Sequence, residues 1–213
     1  MTHDSTPETG RWGDECRVSL HSTAELADAL PYLMGFHPDD SIVVVGLHGS
    51  RGRFGSTVRV GIPGDPRQWP TVARHLAADL ASTGGHRGGT PDGALVFLCQ
   101  DPPTGGTGRE VSRRLQPLAE HLRTACDRLG MPVLEALCIS GGRYWSYCCP
   151  GGPCCPADGS ELPVPGTSPM AAVAVWAGIH VQGSLRELES RFEPLGTPVA
   201  DRQERALDAA GLA

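Results

Sequence analysis

Two uninterrupted apolar runs, Ile42 to Leu47 and Ala94 to Cys99, limit what this chain can fold into more than any other feature. A strand that is apolar at every position must be buried on both faces, so each run belongs in the middle of a covered sheet. Phe54 to Ile62 behaves differently. There Phe54, Val58, Val60 and Ile62 alternate with Gly55, Thr57, Arg59 and Gly61, which leaves one face polar. His48 to Arg53, with Gly49 and Gly52, is short enough to join the first run to this one as an antiparallel hairpin. Val133 to Ser140 reads as a further strand, with Glu135 facing solvent, and Arg17 to Leu20 as an edge strand. Ala94 to Cys99, bracketed by helical patterns, points to a parallel crossover.

The helices announce their own starts. Ser22-x-x-Glu25, Thr107-x-x-Glu110 and Ser184-x-x-Glu187 are capping boxes, in which a hydroxyl and a carboxylate satisfy orphan backbone donors reciprocally. The first helix carries Leu26, Leu30 and Leu33 on one face, is expected to be interrupted at Pro31, and stops at Gly35. The second, from about Pro70 to Ser82, repeats Val72, Leu76 and Leu80; the third aligns Val111, Leu115, Leu118, Leu122 and Leu129 before Gly130. Apolar stripes of this kind need a sheet to cover. The expected fold is therefore α/β, a mixed central sheet between helical layers, with an irregular Cys/Pro/Gly-rich loop at its margin.

At 213 residues the chain is long enough for one such domain. Residues 1–15 read as a disordered leader, 16–196 as the single α/β domain and 197–213 as a C-terminal helical tail. Net charge is −6 and no basic run occurs, so nucleic acid is not an expected partner. No stretch approaches the length of a membrane span, the leader lacks a signal core, and a cytoplasmic location is expected. All 18 basic residues are Arg. The absence of Lys removes Walker phosphate loops, Schiff-base chemistry and Ser-Lys dyads; the absence of Asn removes Cys-His-Asn triads. Gly105-Gly106-Thr107-Gly108 follows a strand and opens a helix, the right context for an anion, yet it lacks the Walker Lys and does not match GxGxxG.

Eight cysteines in a reducing compartment point to thiols or metal ligands rather than a disulfide framework. Cys99, Cys126 and Cys138 fall in apolar patterns and read as small core residues. Cys148, Cys149, Cys154 and Cys155 crowd into a loop fixed by Pro150, Pro153 and Pro156. Three readings of this loop stay open. Cys149, Cys154 and Cys155 could hold zinc with a distant fourth ligand, Cys149 and Cys154 could form a redox pair, or the thiols could simply pack beneath Trp145 and Tyr147. In the preceding aromatic run, alternation puts Arg143, Trp145 and Tyr147 on one face and Tyr144 and Ser146 on the other. Arg143, Tyr144, Trp145 and Ser146 are the candidate ligand-binding residues, since an Arg beside aromatic rings can clamp a planar or anionic group.

A second constellation, Phe36-His37-Pro38-Asp39-Asp40-Ser41, lies between a helix stop and the first buried strand. His37, Asp39 and Asp40 are the candidate catalytic residues, because a carboxylate beside an imidazole orients it and supports acid-base or metal chemistry. The same residues are also ordinary turn formers.

Leu30 through Gly46, and Gly141-Gly142-Arg143-Tyr144-Trp145-Ser146-Tyr147 through Cys154-Cys155-Pro156, resemble the largely actinobacterial family known as domain of unknown function 4192. The likeness runs from about Arg17 to Pro194. The resemblance implies counterparts for Cys149, Cys154 and Cys155, an additional thiol at Cys148, and a further helical region in longer members. It implies no reaction. Two functional classes follow: a binding module that presents the aromatic-cysteine loop, zinc-stapled or not, to a small molecule or protein, and an enzyme using His37, Asp39 or Asp40 opposite Arg143.

Overall fold

The computed structural model describes residues 20, 22–83, 89–149, 155–193 and 196–211. Its elements run α1 (Thr23–Met34), β1 (Ser41–His48), β2 (Arg53–Gly61), α2 (Trp69–Thr83), β3 (Gly93–Cys99), α3 (Gly108–Asp127), β4 (Val133–Ser140), β5 (Arg143–Ser146) and β6 (Ser160–Glu161). The shorter helices α4 (Pro169–Trp176), α5 (Leu185–Ser190) and α6 (Thr197–Ala209) follow. The strands form one sheet of order β2-β1-β3-β4-β5-β6. Every neighbouring pair is antiparallel except β3 and β4, which are parallel.

The two apolar runs stand at the centre, as their composition requires. Alternation divides their side chains between two cores. Ile42, Val44, Val96, Leu98, Ala136 and Cys138 enter one cluster with residues of α2 and α3, and Val43, Val45, Leu95, Phe97, Cys99 and Leu137 enter another with Ala27 and Leu30 of α1. The result is the expected α/β architecture with helices on both faces of a mixed sheet. Coverage of the two faces is unequal. Strands lie about 4.8 Å apart and a helix is about 10 Å across, so one helix covers roughly two strands. Helices α2 and α3 close one face together, whereas among the described residues α1 is the only helix whose buried residues join the second cluster.

All three capping boxes are formed, at Ser22, Thr107 and Ser184. Several finer expectations are corrected. Pro31 does not interrupt α1, which runs on to Met34. The ring removes only the donor that Ala27 would have accepted, and the last turn closes through Gly35 N–H donating to the Pro31 carbonyl at 2.8 Å. Leu129 lies beyond α3 and is 43% exposed; buried Met131 takes its place, with its N–H donating to the Cys126 carbonyl. Strand β3 is antiparallel to β1, so α2 connects two strands of the same direction that flank β1, and the adjacent parallel pair is β3 with β4. Glu135 does not simply face solvent. It is half-buried, and its carboxylate accepts from Ser146 Oγ at 2.7 Å. The edge strand expected at Arg17 to Leu20 lies outside the described residues except for Leu20, which belongs to no strand. Among the described residues, no helix is long and apolar enough to cross a membrane.

Candidate functional site

The aromatic run is the short strand β5, and its alternation holds. Trp145 and Tyr147 pack on the α2/α3 core, and Tyr144 packs on the α1 core. The polar side-chain groups of Arg143, Trp145, Ser146 and Tyr147 are engaged within the chain. Arg143 donates from Nε to the Asp158 carbonyl at 2.8 Å, from Nη2 to the Gly159 carbonyl at 3.0 Å, and pairs with Glu161 at 3.2 Å. Trp145 Nε1 donates to the Ala157 carbonyl, and Tyr147 Oη to the Ser112 carbonyl. Ser146 Oγ donates to Glu135 while accepting from the N–H groups of Cys148 and Cys149. Trp145 is wedged between two glycines. A Cβ on Gly108 would stand 2.6 Å from its Cη2, and one on Gly159 would stand 2.5 Å from its Cε2. At Gly159 φ is also +75°, which a side chain would strain.

The zinc expectation is corrected at the same lobe. Cys149 and Cys155 are joined in a disulfide with their Cα atoms 6.7 Å apart. Sulfurs bonded to each other no longer offer the thiolates that zinc requires. Cys149 is thus partnered by Cys155 rather than by Cys154, which lies outside the described residues. Among the described residues, no three His, Cys, Asp or Glu are grouped to hold a metal. Cys148 keeps its thiol, half-buried against the α2/α3 core. Cys126 and Cys138 are fully buried as expected, and burial pushes both thiols up to about 11. The glycine loop before α3 already has an anion: the Glu110 carboxylate accepts from Thr107 N–H at 2.8 Å, and this bond holds its pKa below the usual range.

The other constellation is split by the fold. Asp40 sits at φ +41°, a left-handed position that Asp tolerates better than most residues. Its carboxylate accepts from Gln100 Nε2 at 2.9 Å and Arg186 Nη2 at 3.0 Å, so it ties the start of β1 to the end of β3 and to α5. His37 and Asp39 behave differently. The backbone of His37 pairs with residues 183–185, donating to the Gly183 carbonyl and accepting from Leu185 N–H, both at 2.9 Å. This anchoring leaves the side chains of His37 and Asp39 on the wall of a cleft that does not include Asp40.

That cleft has a volume of about 680 Å³ and lies on the α1 side of the sheet. Its floor is the end of β3 and β4, with Cys99, Asp101 and Ile139; one wall is Asp28, Leu30 and Tyr32 of α1. The opposite wall comes from the segment after β6 and from α4 onward, with Leu162, Val164, Val175, Ile179 and His180. Each carboxylate is oriented by one donor from the chain: Ser168 Oγ for Asp28 at 2.5 Å, Arg186 N–H for Asp39 at 3.3 Å and Gly141 N–H for Asp101 at 2.8 Å. A carboxylate can accept about four such bonds, so each retains capacity. Burial raises the pKa of Tyr32, and the Asp28 charge raises it further. Burial likewise pushes the Cys99 thiol up, with smaller contributions from Cys138, Asp39 and Asp101, so Cys99 is no ready nucleophile.

Of the residues singled out in the sequence, the cleft takes His37 and Asp39. Arg143 lies at the same end of the sheet, since Ser140 pairs with it, but its strand neighbours on that face pack toward α2 and α3, and it is not on the cleft wall. Asp28, Tyr32, Asp101 and His180 escaped sequence reasoning. Asp101 carried a signal, standing just past the carboxyl end of a buried strand, where α/β sheets bind ligands. Asp28 and Tyr32 are one helical turn apart beside the leucine stripe; His180 has no local signature.

Residues 24–213 match the family described as Domain of unknown function (DUF4192), and the chain belongs to that family. No curated protein matches it.

Proposed function

We propose that this member of the family binds a small organic molecule in the cleft between α1, the ends of β3 and β4, and the segment from Leu162 to Val181. The observation that carries this reading is the cleft itself: about 680 Å³ left open where a single helix underlies a sheet that two helices cover on the other side. Its volume is that of a small-molecule site, and it lies outside the carboxyl ends of adjacent parallel strands. The lobe of Arg143, Tyr144, Trp145 and Ser146 is the weaker place for a ligand, because Arg143, Trp145 and Ser146 already donate within the chain. Methyl-resolved NMR with a diverse fragment set tests the reading. Binders should shift Ile139, Leu162 and Ile179 while leaving Leu98 and Leu115 still, and Ile139→Trp should abolish those shifts. Shifts at Leu98 and Leu115 instead, or no shift from any fragment, would remove the proposal.

A second reading, an enzyme, draws support from the imidazoles of His37 and His180 on the same cleft as Asp28, Asp39 and Asp101. In this reading an imidazole exchanges a proton with the bound molecule while the carboxylates orient it. Paired His37→Ala and His180→Ala changes should then preserve fragment affinity and remove turnover. Unchanged turnover would sink this version alone.

A further inference from the structure

We propose that the molecule this cleft accepts is an amphipathic amine, with an apolar body and a protonated nitrogen at one end. The inference rests on the small-molecule reading above and specifies its ligand class. The body is read from the outer wall. Leu162, Val164, Val175 and Ile179 all line the cleft, yet Val164 is 67% exposed and Val175 is 77% exposed, so large apolar side chains stand uncovered around an existing cavity. A ligand of hydrocarbon or aromatic character would take that surface out of water.

The charge is read from what the cleft contains and what it lacks. Asp28, Asp39 and Asp101 line it, and among the described residues no Arg does; the sequence has no Lys to supply. Arg186 gives Asp39 only its backbone N–H, and its guanidinium pairs with Asp40 instead. His37 and His180, when neutral, each offer one donor and one acceptor and so add no charge to set against the carboxylates. The carboxylates share one cavity, with Asp101 at the floor beside Cys99 and with Asp28 and Asp39 on its walls. An ammonium group bound there would be drawn to their combined charge, with the Tyr32 ring on the adjoining wall. A phosphate or carboxylate ligand would meet the same charges as repulsion.

The test uses matched series on the full chain: tryptamine, tryptophol and indole-3-acetate, and octylamine, octanol and octanoate. Titration by calorimetry and by the cleft methyl resonances should give, in at least one series, an amine that binds about tenfold or more tighter than its alcohol, with the acid weakest. Asp39→Asn and Asp101→Asn keep the acceptor oxygens, and each should weaken the amine about tenfold while leaving the alcohol nearly unchanged. Unaltered urea midpoints in these variants would show that the fold is intact. Alcohols that bind as tightly as amines, or acids that bind tighter, would overturn the amine inference and leave the cleft reading standing. If no member of either series moves a cleft resonance, the amine inference falls, while the fragment experiment decides the cleft separately.

Discussion

The two faces of the sheet solve the same burial problem to different degrees. On one, α2 and α3 lie side by side, Trp145 and Tyr147 close the margin, and each aromatic places its polar atom on a backbone carbonyl. On the other, α1 works alone with α4 against it, and the shortfall is a cleft bordered by carboxylates and imidazoles. The difference teaches where hydrogen-bonding capacity is spent. In the aromatic lobe Arg143, Trp145, Ser146 and Tyr147 spend it on the chain, whereas the plain-looking turn after α1 keeps capacity beside a cavity. On energetic grounds the sealed face should be brittle and the open face tolerant.

The largest effect should come from Trp145→Ala, which empties the wedge between Gly108 and Gly159; we expect a loss of about 3–5 kcal/mol in urea unfolding. A loss under about 1 kcal/mol would show that the face is not sealed there. Alkaline titration probes the same face. Cys126 and Cys138 hold their protons to about 11 against an ordinary 9.0, so the unfolded chain gives them up first. The stability they contribute is fully present below pH 9.0 and is lost as pH rises through about 11, by about 2–3 kcal/mol for each group. Buried Cys99 and Tyr147 add to that fall, so urea midpoints from pH 8 upward should trace it and Cys138→Ala should make it less steep by one group's share.

Third in size is the cross-link. Closing the short loop between Cys149 and Cys155 should contribute about 2 kcal/mol, so Cys149→Ser should lower the unfolding free energy by about that much. Fragment affinity at the cleft should not change, since neither cysteine lines it; a marked change would couple the two regions and break the contrast drawn here. The smallest effect should be Ile139→Val on the cleft floor, about 0.5 kcal/mol, because a methyl removed beside an existing cavity costs less than one removed from a filled core. A cost above about 1.5 kcal/mol would mean that the cleft wall is as rigid as the opposite core.

Much of the fold was legible in the sequence because its determinants are local. The continuous apolar runs could only be central strands, and the three capping boxes marked helix origins by chemistry confined to four residues. Pro31 misled because a proline inside a helix removes one backbone bond without having to end the helix, as Pro117 also shows in the middle of α3. The site was far less legible. Asp28, Asp101 and His180 meet only after the chain has crossed the sheet and folded back through α4, a convergence that no window of sequence contains. The disulfide escaped for a different reason: the expected reducing compartment argued for thiols or metal ligands, and the one pairing read from the sequence was Cys149 with Cys154 rather than Cys155.

The indole held between Gly108 and Gly159 binds three positions into a single heritable unit. A lineage that keeps tryptophan there cannot let either glycine drift to a larger residue, whereas one that substitutes a smaller side chain frees both. Co-variation among these three positions across the family would therefore record, in descent rather than in coordinates, whether the wedge is shared.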